Sequence, residues 1–158
     1  MPVEIERKYL VNNLEFIQDT NSSRITQGYI FADDSRVFRV RITDSSATLT
    51  IKKKISQMER LEYEYPIPLD HAKEIIHRIC EGKVIEKIRY YYRYKGKTWE
   101  IDKFLGNNRG LIIAEIELTR SDETFGLPSF IGDEVTSDPR YINSYLINHP
   151  YSEWGGGI

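Results

Sequence analysis

The chain has one cysteine, two methionines and three histidines in 158 residues. A lone thiol, Cys80, excludes an internal disulfide and any site built from several thiolates. It falls in HAKEIIHRICEG, a stretch with helical spacing, where a small buried apolar side chain is its ordinary role. No apolar run approaches the roughly 20 residues of a membrane-spanning helix. No signal peptide opens the sequence, so the cytoplasm is the expected location, with no membrane partner. A surplus of one charge is missing too: 22 basic and 24 acidic side chains leave a net charge of -2. Nucleic-acid binders carry a basic excess, so none is expected as a partner. His71, His77 and His149 lie on helical stretches or near the end, where structural or solvated roles are expected. No repeat, low-complexity tract or linker divides the chain. One domain over 1–158 is therefore expected, with 150–158, ending in GGGI, as a loose tail.

What the chain has in abundance is charge set in alternation. VEIERKYLV, residues 3–11, puts Glu4, Glu6 and Lys8 on one face of a strand and Val3, Ile5, Tyr9 and Val11 on the other. Similar segments follow at 24–31, 36–43, 47–55, 59–67, 84–94, 97–103 and 111–119. The connections ADDS, TDSSA, YKGK and GNNRG are short and rich in turn formers, which suits antiparallel hairpins. Helices are predicted in NNLEFIQDT after an asparagine cap and in PLDHAKEIIHRICEG, with Asp70 as cap and Gly82 as stop. A third is predicted from SDPRYINSYLI, capped by Asp138 with Pro139 in the first position. Tyr141 and Asn143 of that last helix stand where they could close the end of a barrel. The aromatic run RYYYRY is expected to pack under a helix.

Laid side by side, the strands carry one polar set: Glu4, Glu6, Lys8; Arg39, Arg41; Lys52, Lys54; Arg60, Glu62, Glu64; Lys87, Arg89; Glu100, Asp102; and Glu115, Glu117. That is eight carboxylates and eight cations. A solvated sheet face is the ordinary fate of such residues. A dry interior is excluded, because several kcal/mol per buried ion over this many ions exceeds the roughly 5–15 kcal/mol that holds a domain together. The signs, however, segregate. The third and fourth strands offer cation pairs, while the first, seventh and eighth offer carboxylate pairs. Partners two residues apart lie roughly 6.5–7 Å from each other on one face. Carboxylates so spaced can converge on a hard divalent cation, and Arg and Lys so spaced can grip successive phosphoryl groups. Acidic and basic strands facing one wet cavity describe a site for metal-bound polyphosphate.

EIERK in the first strand resembles the Glu-x-Glu-x-Lys signature of the CYTH proteins, also called triphosphate tunnel metalloenzymes. QGYI, RVR, LTIKKK, RLEYEY, EKIRY, WEID and AEIEL follow in that family's order. EVTSDPRYINSYL further looks like the short bacterial members. The resemblance implies a mainly β, α+β fold: an eight-stranded antiparallel closed barrel with a few flanking helices. It implies that Glu4, Glu6 and Glu117 hold Mg²⁺ or Mn²⁺, one or two ions, with Glu115 and Asp102 nearby. Arg39, Arg41, Lys52, Lys87 and Arg89 would bind phosphates, and Lys54 would extend the basic row. Lys8 would sit at the scissile end with Glu6, Glu117 and Asp102 as catalytic groups, while Arg60, Glu62, Glu64 and Glu100 orient them. Many members place Gly after the fourth-strand lysine, whereas this chain reads IKKK, which leaves open whether Lys52 acts alone or with Lys54. The activity implied is hydrolysis of a small triphosphate, first of all inorganic tripolyphosphate, by a monomer or homodimer. Thiamine triphosphate or nucleoside triphosphate hydrolysis, adenylyl cyclase activity of class IV type, and non-catalytic polyphosphate binding are the alternatives.

Overall fold

Alternation with a period of two becomes β-structure over most of the chain. The computed structural model describes residues 2–18 and 20–155. Its strands are β1 (Val3–Val11), β2 (Asn21–Ala32), β3 (Arg36–Thr43), β4 (Ser46–Lys54), β5 (Glu59–Pro66), β6 (Val84–Tyr94), β7 (Lys97–Phe104), β8 (Ile112–Leu118) and β9 (Ile131–Glu134). They are hydrogen-bonded in the order β5-β4-β3-β2-β6-β7-β8-β1-β9, and β5 pairs back onto β1. That extra pairing, Val3 opposite Leu61 and Glu4 opposite Arg60, closes an eight-stranded antiparallel barrel. The hairpins are tight because their turns demand it: Lys95 and Gly96, at φ 48 and φ 80, form the two-residue turn between β6 and β7.

The ninth strand was not legible in the sequence, and β1 shows why it exists. β5 uses one edge of β1 only as far as Ile5. Beyond that the same edge is taken by β9, with Tyr9 opposite Glu134 and Val11 opposite Ile131. Between the two, the Glu6 amide donates to the Met58 carbonyl and the Lys8 amide to the Thr136 hydroxyl. A strand of four residues has too little alternation to announce itself, yet it completes an edge that would otherwise be bare.

Apolar side chains lie on both sides of the wall. Outside, Tyr9, Trp99, Ile101, Ala114, Ile116 and Leu118 pack with Phe16 and Phe130. The tyrosines of RYYYRY join them, Tyr90 edge-on to Phe16 and Tyr92 to Phe130, under a turn and a loop rather than a helix. On the opposite flank, α1 (Leu69–Arg78) lays Ala72, Ile75 and Ile76 over Val40, Ala47 and Leu49. Inside, one end is filled by Tyr29, Ile85, Phe104, Leu111, Ile113 and Leu146. Ile85, Phe104 and Ile113 are two residues from Lys87, Asp102 and Glu115, so the polar faces of three strands turn apolar at that end.

The helices differ from expectation. The stretch after β1 forms only a 3-10 turn, Glu15–Ile17, with Asn13 accepting from the Glu15 amide; Asp19 of that stretch lies outside the described residues. α1 starts one residue before Asp70, after extended Pro68. The third helix is broken in two. Asp138 does cap a turn at Pro139–Tyr141, but Ile142 is extended at ψ 131 and α2 covers only Tyr145–Asn148. The break carries Asn143 into the barrel. Residues 150–155, expected in the loose tail, form a turn whose Tyr151 amide donates to Asn108, with Tyr151 and Trp154 against the interior apolar cluster. Gly156–Ile158 lie outside the described residues. No helix among those described is long and apolar enough to cross a membrane.

Gly28 of β2 is where helix and barrel meet most closely. A Cβ there would stand 2.7 Å from the Cys80 sulfur and 3.0 Å from Ile76 Cγ1. Gly28→Ala is expected to cost about 1–3 kcal/mol by overpacking, measured by urea unfolding. Adding Cys80→Ala should recover part of that loss; a neutral Gly28→Ala would count against the tight seat.

Candidate active site

The alternation that buries Val40 and Ile116 outside sends the neighbouring residues inward. Glu4, Glu6 and Lys8 of β1, Arg39 and Arg41 of β3, Lys52 of β4, Arg60 and Glu62 of β5, Lys87 and Arg89 of β6, Glu100 of β7 and Glu115 of β8 line one cavity. Tyr29, Val37 and residues 142–144 complete its wall. Twelve of the charges singled out in the sequence thus meet in one place. The other four sit apart. Asp102, on the same face of β7 as Glu100, is fully buried against Lys87 and Arg89. Glu117 is opposite Glu6 in the β1–β8 ladder, exposed at the rim. Glu64 is exposed and accepts from the Thr50 hydroxyl at 3.3 Å. Lys54 lines a neighbouring groove, shared with Lys52, Arg60, Asp33 and Lys83.

The cations are held in distinct ways. Asp102 takes two hydrogen bonds from Arg89, Nε at 2.8 Å and Nη2 at 2.9 Å, and its Oδ2 lies 2.7 Å from Lys87 Nζ. Both of its oxygens are therefore engaged by cations in this arrangement. Burial alone would push the Asp102 carboxyl up, but Arg89 and Lys87 outweigh it and hold the group below its usual range. Burial draws Lys87 down to about 7, opposed by Asp102. Lys52 stands between Glu4 at 3.0 Å and Glu62 at 3.2 Å. Arg39 is different. It is 5% exposed, and its Nε and Nη2 have no hydrogen-bond partner among the described residues.

The carboxylates of β1 and β8 crowd one another. Glu6 lines the cavity and is enclosed by the barrel wall. Burial pushes its carboxyl up to about 8, with Glu115 and Glu4 adding repulsion. Glu115 goes the other way, well below its usual range: burial would raise it, but Lys8 and a hydrogen bond from Glu6 prevail. The two shifts run in opposite directions, which favours the neutral form of Glu6 beside an ionised Glu115. At the rim, Glu117 is raised by burial and by Glu4, Glu100 and Glu62. Such groups fit a hard divalent cation. They are oxygen donors with surplus negative charge, and an ammonium, Lys52, already stands beside one of them, Glu4. As they stand, no three acidic, histidine or cysteine side chains among the described residues form a ready metal cluster.

Sequence reading assigned no role to Gln27 and named Asn143 and Tyr141 only as residues that could close the barrel end. Gln27, with no exposure, donates from Nε2 to the Tyr29 hydroxyl at 2.7 Å and to Asn143 Oδ1 at 3.0 Å. Its Oε1 accepts from Arg41 Nε at 2.9 Å. Asn143 Oδ1 also accepts from Lys87 Nζ at 2.7 Å, and the Tyr141 carbonyl accepts from Lys8 Nζ at 3.3 Å. Gln27 alternates inward between Ile25 and Tyr29 like any strand residue, and only the register opposite Arg41 reveals its role.

The raised Glu6 carboxyl makes stability depend on pH. Unfolded, the group titrates near 4.5, and folded near 8. The folded state therefore binds the extra proton between those values, and stability is lost as pH rises through that window. Each unit is about 1.4 kcal/mol. In metal-free buffer, Glu6→Gln should gain melting temperature over the parent as pH goes from about 5 to 8.5. Parallel curves would show that Glu6 carries no such proton.

The chain is similar to known proteins throughout its length. Residues 2–143 match the CYTH domain. An inorganic triphosphatase of Acetivibrio thermocellus is 46% identical over 154 residues, spanning 98% of this chain and 99% of that protein. An inorganic triphosphatase of Nitrosomonas europaea is 33% identical over 147 residues, spanning 90% and 95%. The crystal structure of an inorganic triphosphatase superposes with a TM-score of 0.67 at 31% identity, covering 91% of this chain and 93% of that one. With the closed barrel and the inward charges of EIERK, RVR and AEIEL, these likenesses settle the family: the chain belongs to the CYTH domain proteins.

Proposed function

We propose that this protein hydrolyses inorganic tripolyphosphate to pyrophosphate and phosphate, with Mg²⁺ or Mn²⁺. The observation that carries the reading is Arg39. A guanidinium buried to 5% exposure with two unpartnered N–H groups is costly, and anionic oxygens are the partners that repay it. Arg41 has no carboxylate among its hydrogen-bond partners, only Gln27. Lys87, Arg89 and Lys52 line the same cavity. The triphosphatase names of the two curated relatives support the same substrate.

Phosphoryl transfer asks a protein for alignment and charge neutralisation more than covalent chemistry. Arg39, Arg41 and Lys52 would grip phosphoryl oxygens, with Lys87 and Arg89 held ready on Asp102. Lys8, tethered to the Tyr141 carbonyl and opposite Glu115 in the ladder, would neutralise charge at the scissile end and orient water. Glu4, Glu6, Glu115 and Glu117 are the residues that would hold the divalent ion. That ion, when bound, neutralises phosphoryl oxygens and makes phosphorus more open to attack. Glu62 and Glu100 orient Lys52 and Arg89 by ion pairing, at 3.2 Å and 3.4 Å.

Phosphate release from tripolyphosphate, thiamine triphosphate and ATP, with Mg²⁺ and with Mn²⁺, tests the reading. Tripolyphosphate should turn over fastest, and ATP should give no cyclic AMP. No turnover of tripolyphosphate with either metal would overturn it, as would cyclic AMP formation exceeding phosphate release. Glu4→Gln should abolish activity while leaving the thermal melt intact. Arg39→Ala should raise KM roughly 10–100-fold, the weight of a charge-assisted hydrogen bond; unchanged kinetics would remove Arg39 from the phosphate site.

A further inference from the structure

We infer that Gln27 is a positioning residue: it aims the Arg41 guanidinium into the cavity without neutralising it, and couples that aim to Asn143 and Lys87. The inference rests on the tripolyphosphate reading of the site. Arginines in this cavity are oriented by two different chemistries. Arg89 is locked by the carboxylate of Asp102, which orients the fork but offsets part of its charge, as does Glu100 at 3.4 Å. Arg41 Nε instead donates to a neutral amide oxygen, Gln27 Oε1, at 2.9 Å. The remaining guanidinium N–H groups keep a full positive charge to offer to an anion. Proximity to Arg39 and Arg89 adds to the effect of burial and draws Arg41 down to about 10. A third cation in such company gains most from an anionic ligand.

The amide orientations follow from obligate donors at both ends. Arg41 can only donate, so the Gln27 oxygen must face it and the Gln27 NH₂ must face away. Lys87 can only donate, so the Asn143 oxygen must face the ammonium, at 2.7 Å. The Gln27 NH₂ then meets that same oxygen at 3.0 Å and the Tyr29 hydroxyl at 2.7 Å. Arg41, Gln27, Asn143 and Lys87 thus form one connected network from β3 through β2 and the C-terminal segment to β6, in which donation from Arg41 through Gln27 and donation from Lys87 meet at Asn143 Oδ1. A carboxylate at position 27 would orient Arg41 equally well, but it would spend the charge that the substrate needs.

Steady-state kinetics on tripolyphosphate, with thermal melts alongside, provide the test. Gln27→Met keeps the volume and removes the hydrogen bonds; it should raise KM about tenfold, as for one bond to a charged group. In an Arg41→Ala background the same substitution should raise KM no further. Gln27→Glu retains an acceptor but pairs with Arg41, and should raise KM about as much while changing kcat less than threefold. A Gln27 that served only packing would lower the melting temperature and leave KM alone in both variants, which overturns the inference. Effects of Gln27→Met and Arg41→Ala that multiply independently would overturn it too. The parent enzyme separates the two claims: parent inactivity removes the substrate reading and this inference together, whereas an active parent with unmoved variants removes only the role of Gln27.

Discussion

A single carboxylate with no solvent exposure holds two cations of the barrel wall. Asp102 engages Arg89 through two hydrogen bonds and Lys87 through an ion pair, so three charges share the space behind one strand ladder. Burying charge is tolerable only when it is paired and hydrogen-bonded. One negative charge against two positive leaves a surplus on the cavity side. Much of the interior follows from that imbalance. Lys87 turns its ammonium to Asn143, which lies in the break between the turn at Pro139–Tyr141 and the helix at Tyr145–Asn148.

The opposite imbalance exists across the cavity. Glu4, Glu6 and Glu115 line the cavity from β1 and β8, and burial together with their mutual repulsion raises the Glu6 carboxyl. The two halves are complementary in sign yet only partly neutralise each other, through Lys52 between Glu4 and Glu62 and through Arg89 near Glu100. An interior of this kind is held open by the mismatch of its charges. A ligand bearing several negative charges together with a divalent cation satisfies both sides at once.

Closure of the barrel makes this arrangement possible. The β1–β5 pairing is short, from Val3 to Ile5, and β9 takes over the rest of that edge of β1. Arg7, outward-facing between Glu6 and Lys8, clamps β9 through a bidentate contact with Glu134 at 2.6 and 2.8 Å. The strand carrying the most acidic part of the interior is thereby fixed along both edges. Apolar packing outside, from Trp99 under Tyr9 to α1 over Val40, keeps the polar faces turned inward.

By itself, the sequence determined the strands and their inward faces, because period-two alternation is a local property that each segment carries in its own residues. VEIERKYLV, RVFRVRIT and IIAEIEL state which side chains share a face, and sixteen charges were legible as one set on that ground. Tertiary structure alone decided which of them meet. Asp102 reads like Glu100 in the sequence, but register places it against Arg89 and Lys87 with no water to share. Lys54 reads like Lys52, yet it falls at a neighbouring groove. Gln27 lies in QGYI and Asn143 in the last segment, both uncharged, and their partners arise from pairing across β2 and β3 and from the break at Ile142. β9 escaped notice because four residues carry too little period. The physical reason is common to all of these: alternation fixes direction along one strand, whereas partners, burial and charge balance depend on distances between segments that only the closed barrel sets.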